Sequence, residues 1–204
     1  TDGIGGTEVI HIYIASAGKV ARAGAIGKVV PGYIAQIVDD NMQPVPPGTQ
    51  GRLAVRGPTG CRYLDDARQT DYVKDGWNLP GDTFVMDEQG YFSYMARNDD
   101  MIVSAGYNIA GPEVESVLLQ HPAVAECGVV GVPDAERGQV VMAYVALKPN
   151  FATDADMVST LQNFVKQNIA PFKYPRRIEF LPSLPRTETG KLQRFRLRQM
   201  AMGQ

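Results

Sequence analysis

The chain has 204 residues, 44% hydrophobic and 21% charged, with a formal net charge of −2. That is enough for one or two domains with apolar cores, in an ordinary globular composition. It excludes a global electrostatic pull toward nucleic acid or a membrane surface, and no apolar run is long enough to span a bilayer.

Two cysteines, Cys61 and Cys127, stand in no metal-ligand spacing. They read as buried thiols of a reducing compartment, so the cytoplasm is the expected location. The chain opens TDGIGGTEVI, already inside a glycine-rich motif and with no initiator Met, so it reads as part of a longer protein.

Taken in order, residues 3–8 (GIGGTE) read as a glycine loop. Such a loop can present backbone N–H groups to a phosphate, with Thr7 as a further donor and Glu8 as a ligand for Mg²⁺. The plainer reading is a flexible turn. The apolar run at 9–14 (VIHIYI) holds His11, which in such a run is most often a hydrogen-bonded core residue. Residues 33–38 and 53–56 pattern as strands, separated by a turn at Asp39 and a rigid PVPPG loop. Residues 77–82 (WNLPGD) read as a loop ending in a carboxylate, and 85–94 as a hairpin turning at 87–90. This half is a small β-rich sheet or barrel.

Residues 96–115 (ARNDDMIVSAGYNIAGPEVE) organise the rest. Arg97, Asp99 and Asp100 put three charges in four residues. Ile102 and Val103 read as a strand, Ala105-Gly106 as a break, and Pro112 with Glu113 as a helix start. This is either a charged joint with a working loop attached or a solvated turn.

Beyond Asp99 the pattern is α+β. The helix from Pro112 stops before Pro122, and 127–132 and 140–147 are near-continuous apolar runs expected of buried strands. Thr153 or Asp154 can cap a helix bearing Met157, Leu161, Phe164 and Val165, ended by Pro171. A strand at 178–181 and a helix at 192–202 complete the chain. Residues 185–191 (PRTETGK) mount Lys191 on a Gly-containing loop, where it can reach a phosphate or lie on the surface as most lysines do. Eight basic residues against two acidic ones lie between Lys173 and Arg198, a solvated face or a polyanion-binding one.

The order GIGGTE, Gly81-Asp82, ARNDDMIVSAGYNIAGPEVE, PRTETGK resembles the adenylate-forming superfamily of acyl-CoA ligases, adenylation domains and luciferases. The resemblance spans the whole chain. DGIGGTEVIHI and the central stretch resemble the benzoate-CoA ligase group, and RLAVRGPTGCRYL with GWNLPGDTF resembles its 2-aminobenzoate-activating members. It implies an α+β fold: residues 1–98 as the β-rich, distorted-barrel end of a large AMP-binding N-terminal domain, and 99–204 as a small mobile C-terminal domain.

The activity implied is ATP-dependent conversion of an aryl carboxylate to an acyl-adenylate, then to an aryl-CoA thioester. ATP/AMP, Mg²⁺ and coenzyme A are the implied cofactors. The resemblance gives Thr7 to the phosphate and Glu8 to Mg²⁺, with Gly5 and Gly6 beside the nucleotide. It gives Asp82 to the ribose hydroxyls with Arg97 as a further nucleotide contact nearby, and Lys191 to the phosphate and carboxylate during adenylation. Asp99 matches the hinge, Ala105-Gly106-Tyr107 the pantetheine-tunnel loop, and His11 the acyl pocket. Ile4, Ala96 and Ala105 depart from the family's more frequent aromatic or glycine residues. The family's upstream phosphate loop is not in this sequence, so the chain alone is expected to be inactive.

Two other readings stand beside this one. The thiol acceptor is a carrier protein's phosphopantetheine, or the chain is a non-catalytic nucleic-acid-binding module using its basic stretch. The ligase reading expects no nucleic-acid or membrane partner and leaves a homodimer open.

Overall fold

The structure, a computed structural model, describes residues 1–60 and 62–203; Cys61 lies outside them. The chain divides into two compact units, Thr1–Asp99 and Asp100–Gln204.

The first unit contains β1 (Asp2–Gly6), β2 (His11–Ser16), β3 (Lys28–Val29), β4 (Ile34–Val38), β5 (Gln50–Arg56), α1 (Arg68–Tyr72), β6 (Val73–Lys74), β7 (Trp77–Asn78), β8 (Asp82–Met86) and β9 (Phe92–Arg97). β1, β2 and β3 form one antiparallel sheet. The others form a second, in the order β6-β7-β5-β8-β9 with β4 also paired to β5. The two sheets share one core of Val9, Tyr13, Ile14, Tyr33, Ile37, Leu53, Val55, Phe84 and Phe92. Asp39 and Asp87 turn the chain by accepting two backbone N–H bonds each.

Three local expectations change here. GIGGTE is not a free loop, because its glycines form β1 against β2. The pairing register shifts between Ile4 and Gly5. A Cβ on Gly5 would stand 2.5 Å from the His11 carbonyl oxygen, so the two strands approach this closely only with glycine there. The run at 9–14 is interrupted: residues 7–10 are a turn, with Ile10 at φ 62°, and the strand begins at His11. WNLPGD is only partly loop, since Trp77 and Asn78 pair as β7 and Asp82 opens β8.

The second unit contains β10 (Met101–Ser104), β11 (Tyr107–Ala110), α2 (Gly111–Leu118), β12 (Val124–Asp134), β13 (Gly138–Leu147), α3 (Ala155–Asn168), β14 (Arg177–Phe180) and α4 (Arg194–Ala201). The sheet order is β11-β10-β13-β12, with β14 parallel to β13. The apolar runs of β12 and β13 serve two cores at once, because successive side chains point to opposite faces. Cys127, Val129, Val141, Ala143 and Val145 join α2 and α3 on one face. Val130, Val132, Val140, Met142 and Tyr144 join Leu197 of α4 on the other. Asp154 caps α3, accepting from the Met157 N–H at 2.8 Å.

Cys127 is 7% exposed, its Sγ 3.6 Å from the Glu115 carbonyl oxygen. Burial pushes its thiol up to about 12. The final helix starts at Arg194 rather than 192.

Candidate functional site

Thr7 and Glu8 lie on the turn between β1 and β2, closed by backbone bonds from Val9 and Ile10 to Gly6. Glu8 is held from far along the chain: the Tyr63 hydroxyl donates to its Oε1 at 2.5 Å. A Cβ on Gly6 would come 3.5 Å from Glu8 Oε2 and 3.9 Å from the Tyr13 hydroxyl. Both groups therefore border the space over this glycine.

Tyr13 is fully buried, and its hydroxyl has no hydrogen-bond partner among the described residues. Burial, then the negative charges of Asp82 and Glu8, hold its ionisation far above the ordinary phenol value. A buried hydroxyl without a partner is uncommon and calls for a polar neighbour.

Asp82 is 6% exposed at the start of β8, directly across from Arg97 on β9. The guanidinium stands 3.3 Å from its carboxylate and also donates to the Pro80 carbonyl at 3.2 Å. Burial raises the Asp82 carboxyl above its ordinary range; Arg97 opposes that rise. This carboxylate is thus kept where its charge is costly.

His11 is exposed, so the core reading fails. Its ring stacks on Tyr33 with centroids 5.7 Å apart, and Nδ1 lies 2.6 Å from the Ile12 carbonyl oxygen. Asp99 is exposed in a short 3-10 turn at the boundary of the two units.

In the second unit, Ala105-Gly106 is a tight two-residue turn joining β10 and β11. Both residues have positive φ, 50° and 82°, as this kind of hairpin turn requires. Ala105 therefore occupies the left-handed region despite its Cβ. The expected loop is shorter than its sequence suggested, and Tyr107 is the first residue of β11, an element the sequence did not reveal. The Tyr107 ring stacks on Phe172 at 4.4 Å. Lys191 is exposed on a small loop whose ends pair at Arg186 and Leu192.

The basic stretch is extensively paired within its own unit. Lys173 bonds Glu113 at 2.7 Å, Arg186 bonds Glu126 at 2.7 Å, Arg194 bonds Glu115 at 2.6 Å and Arg198 bonds Asp100 at 2.9 Å. The sequence reading missed Tyr13, Tyr63, Glu115 and Glu126. Tyr63, Glu115 and Glu126 act through partners distant along the chain, which no spacing rule displays, and Tyr13 sits in an apolar run where nothing marks its hydroxyl as unpartnered.

Residues 1–63 match the AMP-binding enzyme family, and residues 113–191 match the AMP-binding enzyme C-terminal domain. The chain belongs to the AMP-binding, adenylate-forming superfamily. It is similar to the human mitochondrial acyl-coenzyme A synthetase ACSM5, 42% identical over 99% of this chain and 36% of that protein. Among solved structures, it is similar to the anthranilate CoA ligase AuaEII in complex with anthranoyl-AMP, at TM-score 0.85 and 37% identity over 98% of this chain and 38% of that one. It is also similar to a benzoate CoA ligase from Burkholderia xenovorans, at TM-score 0.81 and 39% identity over 97% and 40%. The chain spans about a third of the length of the curated relatives it matches (36%). No helix among the described residues is long and apolar enough to cross a membrane.

Proposed function

We propose that this chain is part of an AMP-forming acid–CoA ligase, with residues 1–98 ending its AMP-binding domain and 99–204 forming a mobile C-terminal domain. Its acid is an aryl carboxylate of the benzoate or 2-aminobenzoate type. In the first half-reaction, the acid's carboxylate oxygen attacks the α-phosphorus of ATP; pyrophosphate leaves with the electron pair of the broken P–O bond. In the second, the thiol of coenzyme A attacks the acyl carbonyl, losing its proton, and AMP leaves. Positioning and charge stabilisation supply most of the rate in such chemistry.

The observation that carries this reading is the costly carboxylate. Asp82 is kept buried and charged beside Arg97, an arrangement useful for accepting bonds from ribose hydroxyls. Thr7 would donate to the phosphate beside Gly5 and Gly6. Lys191 would approach the phosphate and the acid's carboxylate during adenylation. The Ala105-Gly106-Tyr107 turn would line the pantetheine path, with Asp99 as pivot between the two half-reactions.

Glu8 would hold Mg²⁺, which when bound neutralises phosphate charge. No group of three or more His, Cys, Asp or Glu gathers among the described residues, which suits an ion held by one carboxylate and substrate oxygens. The Tyr13 hydroxyl, without a partner among the described residues and bordering the same space as Glu8, would donate a bond to a phosphate oxygen or a water there.

The aryl assignment draws on the anthranilate and benzoate ligases among the similar structures. His11 on Tyr33 would supply a flat wall for the ring. The curated relative is named only as an acyl-coenzyme A synthetase, so a straight-chain acid is the competing substrate. Free coenzyme A is preferred over a carrier protein as the acceptor. Internal pairing of the basic stretch supports small-molecule partners over nucleic acid. We keep the cytoplasm as the proposed location, while the curated relatives are named as mitochondrial.

The test is acid-dependent pyrophosphate exchange with benzoate, 2-aminobenzoate and hexanoate. It uses the protein at its relatives' full length, beside the 204-residue chain alone. Exchange is expected with the aryl acids and only at full length. Exchange with hexanoate alone overturns the aryl assignment, and exchange with no acid overturns the ligase.

A further inference from the structure

We propose that Glu126 and Arg186 are positioning residues that fix the Lys191 loop against the sheet, a role that rests on the adenylation function proposed for Lys191. The loop's own bonds set its shape. The Thr187 N–H donates to the Lys191 carbonyl at 2.9 Å, the Gly190 N–H to the Thr187 carbonyl at 2.9 Å, and the Lys191 N–H to Thr187 Oγ1 at 3.0 Å. These bonds are internal to the loop and do not orient it on the unit. Its ends are held by packing, through the buried Leu184 and the half-buried Leu192.

Between those ends, the tie is ionic. Glu126 Oε1 accepts from the Leu184 N–H at 3.1 Å. Glu126 Oε2 accepts from Arg186 Nε at 3.1 Å and Nη2 at 2.7 Å. The same guanidinium donates through Nη1 to the Gly190 carbonyl at 2.8 Å, one residue before Lys191. A continuous path thus runs from β12 through Glu126 and Arg186 to the peptide that carries the lysine. All three kinds of guanidinium nitrogen are used, a geometry that lysine at 186 does not reproduce.

The placement of Glu126 is itself built. The β12–β13 register shifts between Val124 and Glu126, so one residue is extra on β12. Such a bulge bends a strand and re-aims a side chain. The hydrogen bond from the Arg186 guanidinium also holds the Glu126 carboxyl below its ordinary range.

The experiment uses the protein at its relatives' full length, with Glu126→Gln, Arg186→Ala, Arg186→Lys and Lys191→Ala. Three quantities are read: hydrogen exchange of the Gly190 and Lys191 amides, kcat and KM of acid-dependent pyrophosphate exchange, and thioester formation from supplied acyl-adenylate. Glu126→Gln and Arg186→Ala are expected to speed amide exchange in the loop. They should lower adenylation kcat by about 10- to 100-fold, the cost of a small misplacement of a reacting group. KM for ATP and the thioester step should stay within about twofold of wild type. Arg186→Lys should fall between.

Arg186 lies at the surface, with its side chain 44% exposed, so Arg186→Ala gives the answer should Glu126→Gln fail to fold. Wild-type adenylation in both variants, with Lys191→Ala inactive, overturns the positioning role and leaves the role of Lys191 standing. Equal loss of both half-reactions in folded variants also overturns it. Normal adenylation by Lys191→Ala overturns the reading on which it rests.

Discussion

Replacing Asp82 with Asn separates what the residue costs the fold from what it gives the site. The side chain of Asp82 is 8% exposed, while that of Arg97, 3.3 Å away, is 54% exposed. Losing a pair with one partner this wet costs about 0.2–1 kcal/mol. Against that, the variant no longer buries a carboxylate charge, a penalty of several kcal/mol for a fully enclosed ion. The Asp82 carboxyl titrates above its ordinary 3.8, mainly through burial. The folded chain therefore binds this proton more tightly than the unfolded chain. Stability falls as pH rises from 3.8 through the raised native value, and the charge opposes folding above it.

Asp82→Asn is accordingly expected to gain about 1 kcal/mol at pH 7, the low end of the roughly 1–4 kcal/mol range for replacing a buried ion pair. It should also lose this residue's downward step in stability with pH. ATP affinity should drop by about 10- to 100-fold, as expected for losing a charge-assisted bond of about 1.5–3 kcal/mol. Thermal unfolding between pH 3.5 and 8 and calorimetric titration of ATP read both effects in the full-length protein. A variant less stable at pH 7 with an unchanged pH slope would refute the burial argument. Unchanged ATP affinity would refute the ribose role.

Three further outcomes are expected. Lys191→Ala should slow adenylation by about 2.7–4 kcal/mol, the value of one donor aimed at developing charge, and spare thioester formation from supplied acyl-adenylate. Single-turnover kinetics on each half-reaction decide it. Asp99→Pro fixes φ near about −65° and removes an N–H at the boundary of the units. It should keep pyrophosphate release and lose coenzyme A transfer; wild-type rates in both steps would move the pivot elsewhere. Arg194→Ala strips a partner from Glu115 and from Asp100, both with side chains 12% exposed. It should cost the second unit about 2–3 kcal/mol in urea unfolding, below the fully buried range because Val129 and Arg198 still serve those acids. A loss under about 0.5 kcal/mol would make this cluster an ordinary surface one.

The second unit was the more legible half because its signals are local. Val, Ala and Tyr alternate along β13 into two apolar faces, and Asp154 announces α3 from one position before it. β11 was hidden because Ala105 works against its own conformational preference at φ 50°, so a hairpin turn looked like a loop running into a helix. β1 was hidden for the opposite reason. Its glycines have little strand propensity, and the pairing with β2 overrides that because the backbones must come close at Gly5.

The candidate site divides in the same way. The order of the motifs drew attention to Thr7, Glu8, Asp82, Arg97 and Lys191. The hydroxyl of Tyr63 on Glu8 and the carboxylate of Glu126 on Arg186 join residues 55 and 60 positions apart, and no window in the sequence contains both ends.

Cys127 turns the second unit into its own reporter. A thiol titrating near 12 and 7% exposed is protonated and shielded at neutral pH, and alkylating reagents need the thiolate. Labelling at this position therefore waits for β12 to part from α2. Site-resolved mass spectrometry of the labelled peptide would time that opening without any introduced probe. Glu115 offers its carbonyl to the thiol and its carboxylate to Arg194, so the label reads the anchorage of α4 as well as the breathing of the sheet.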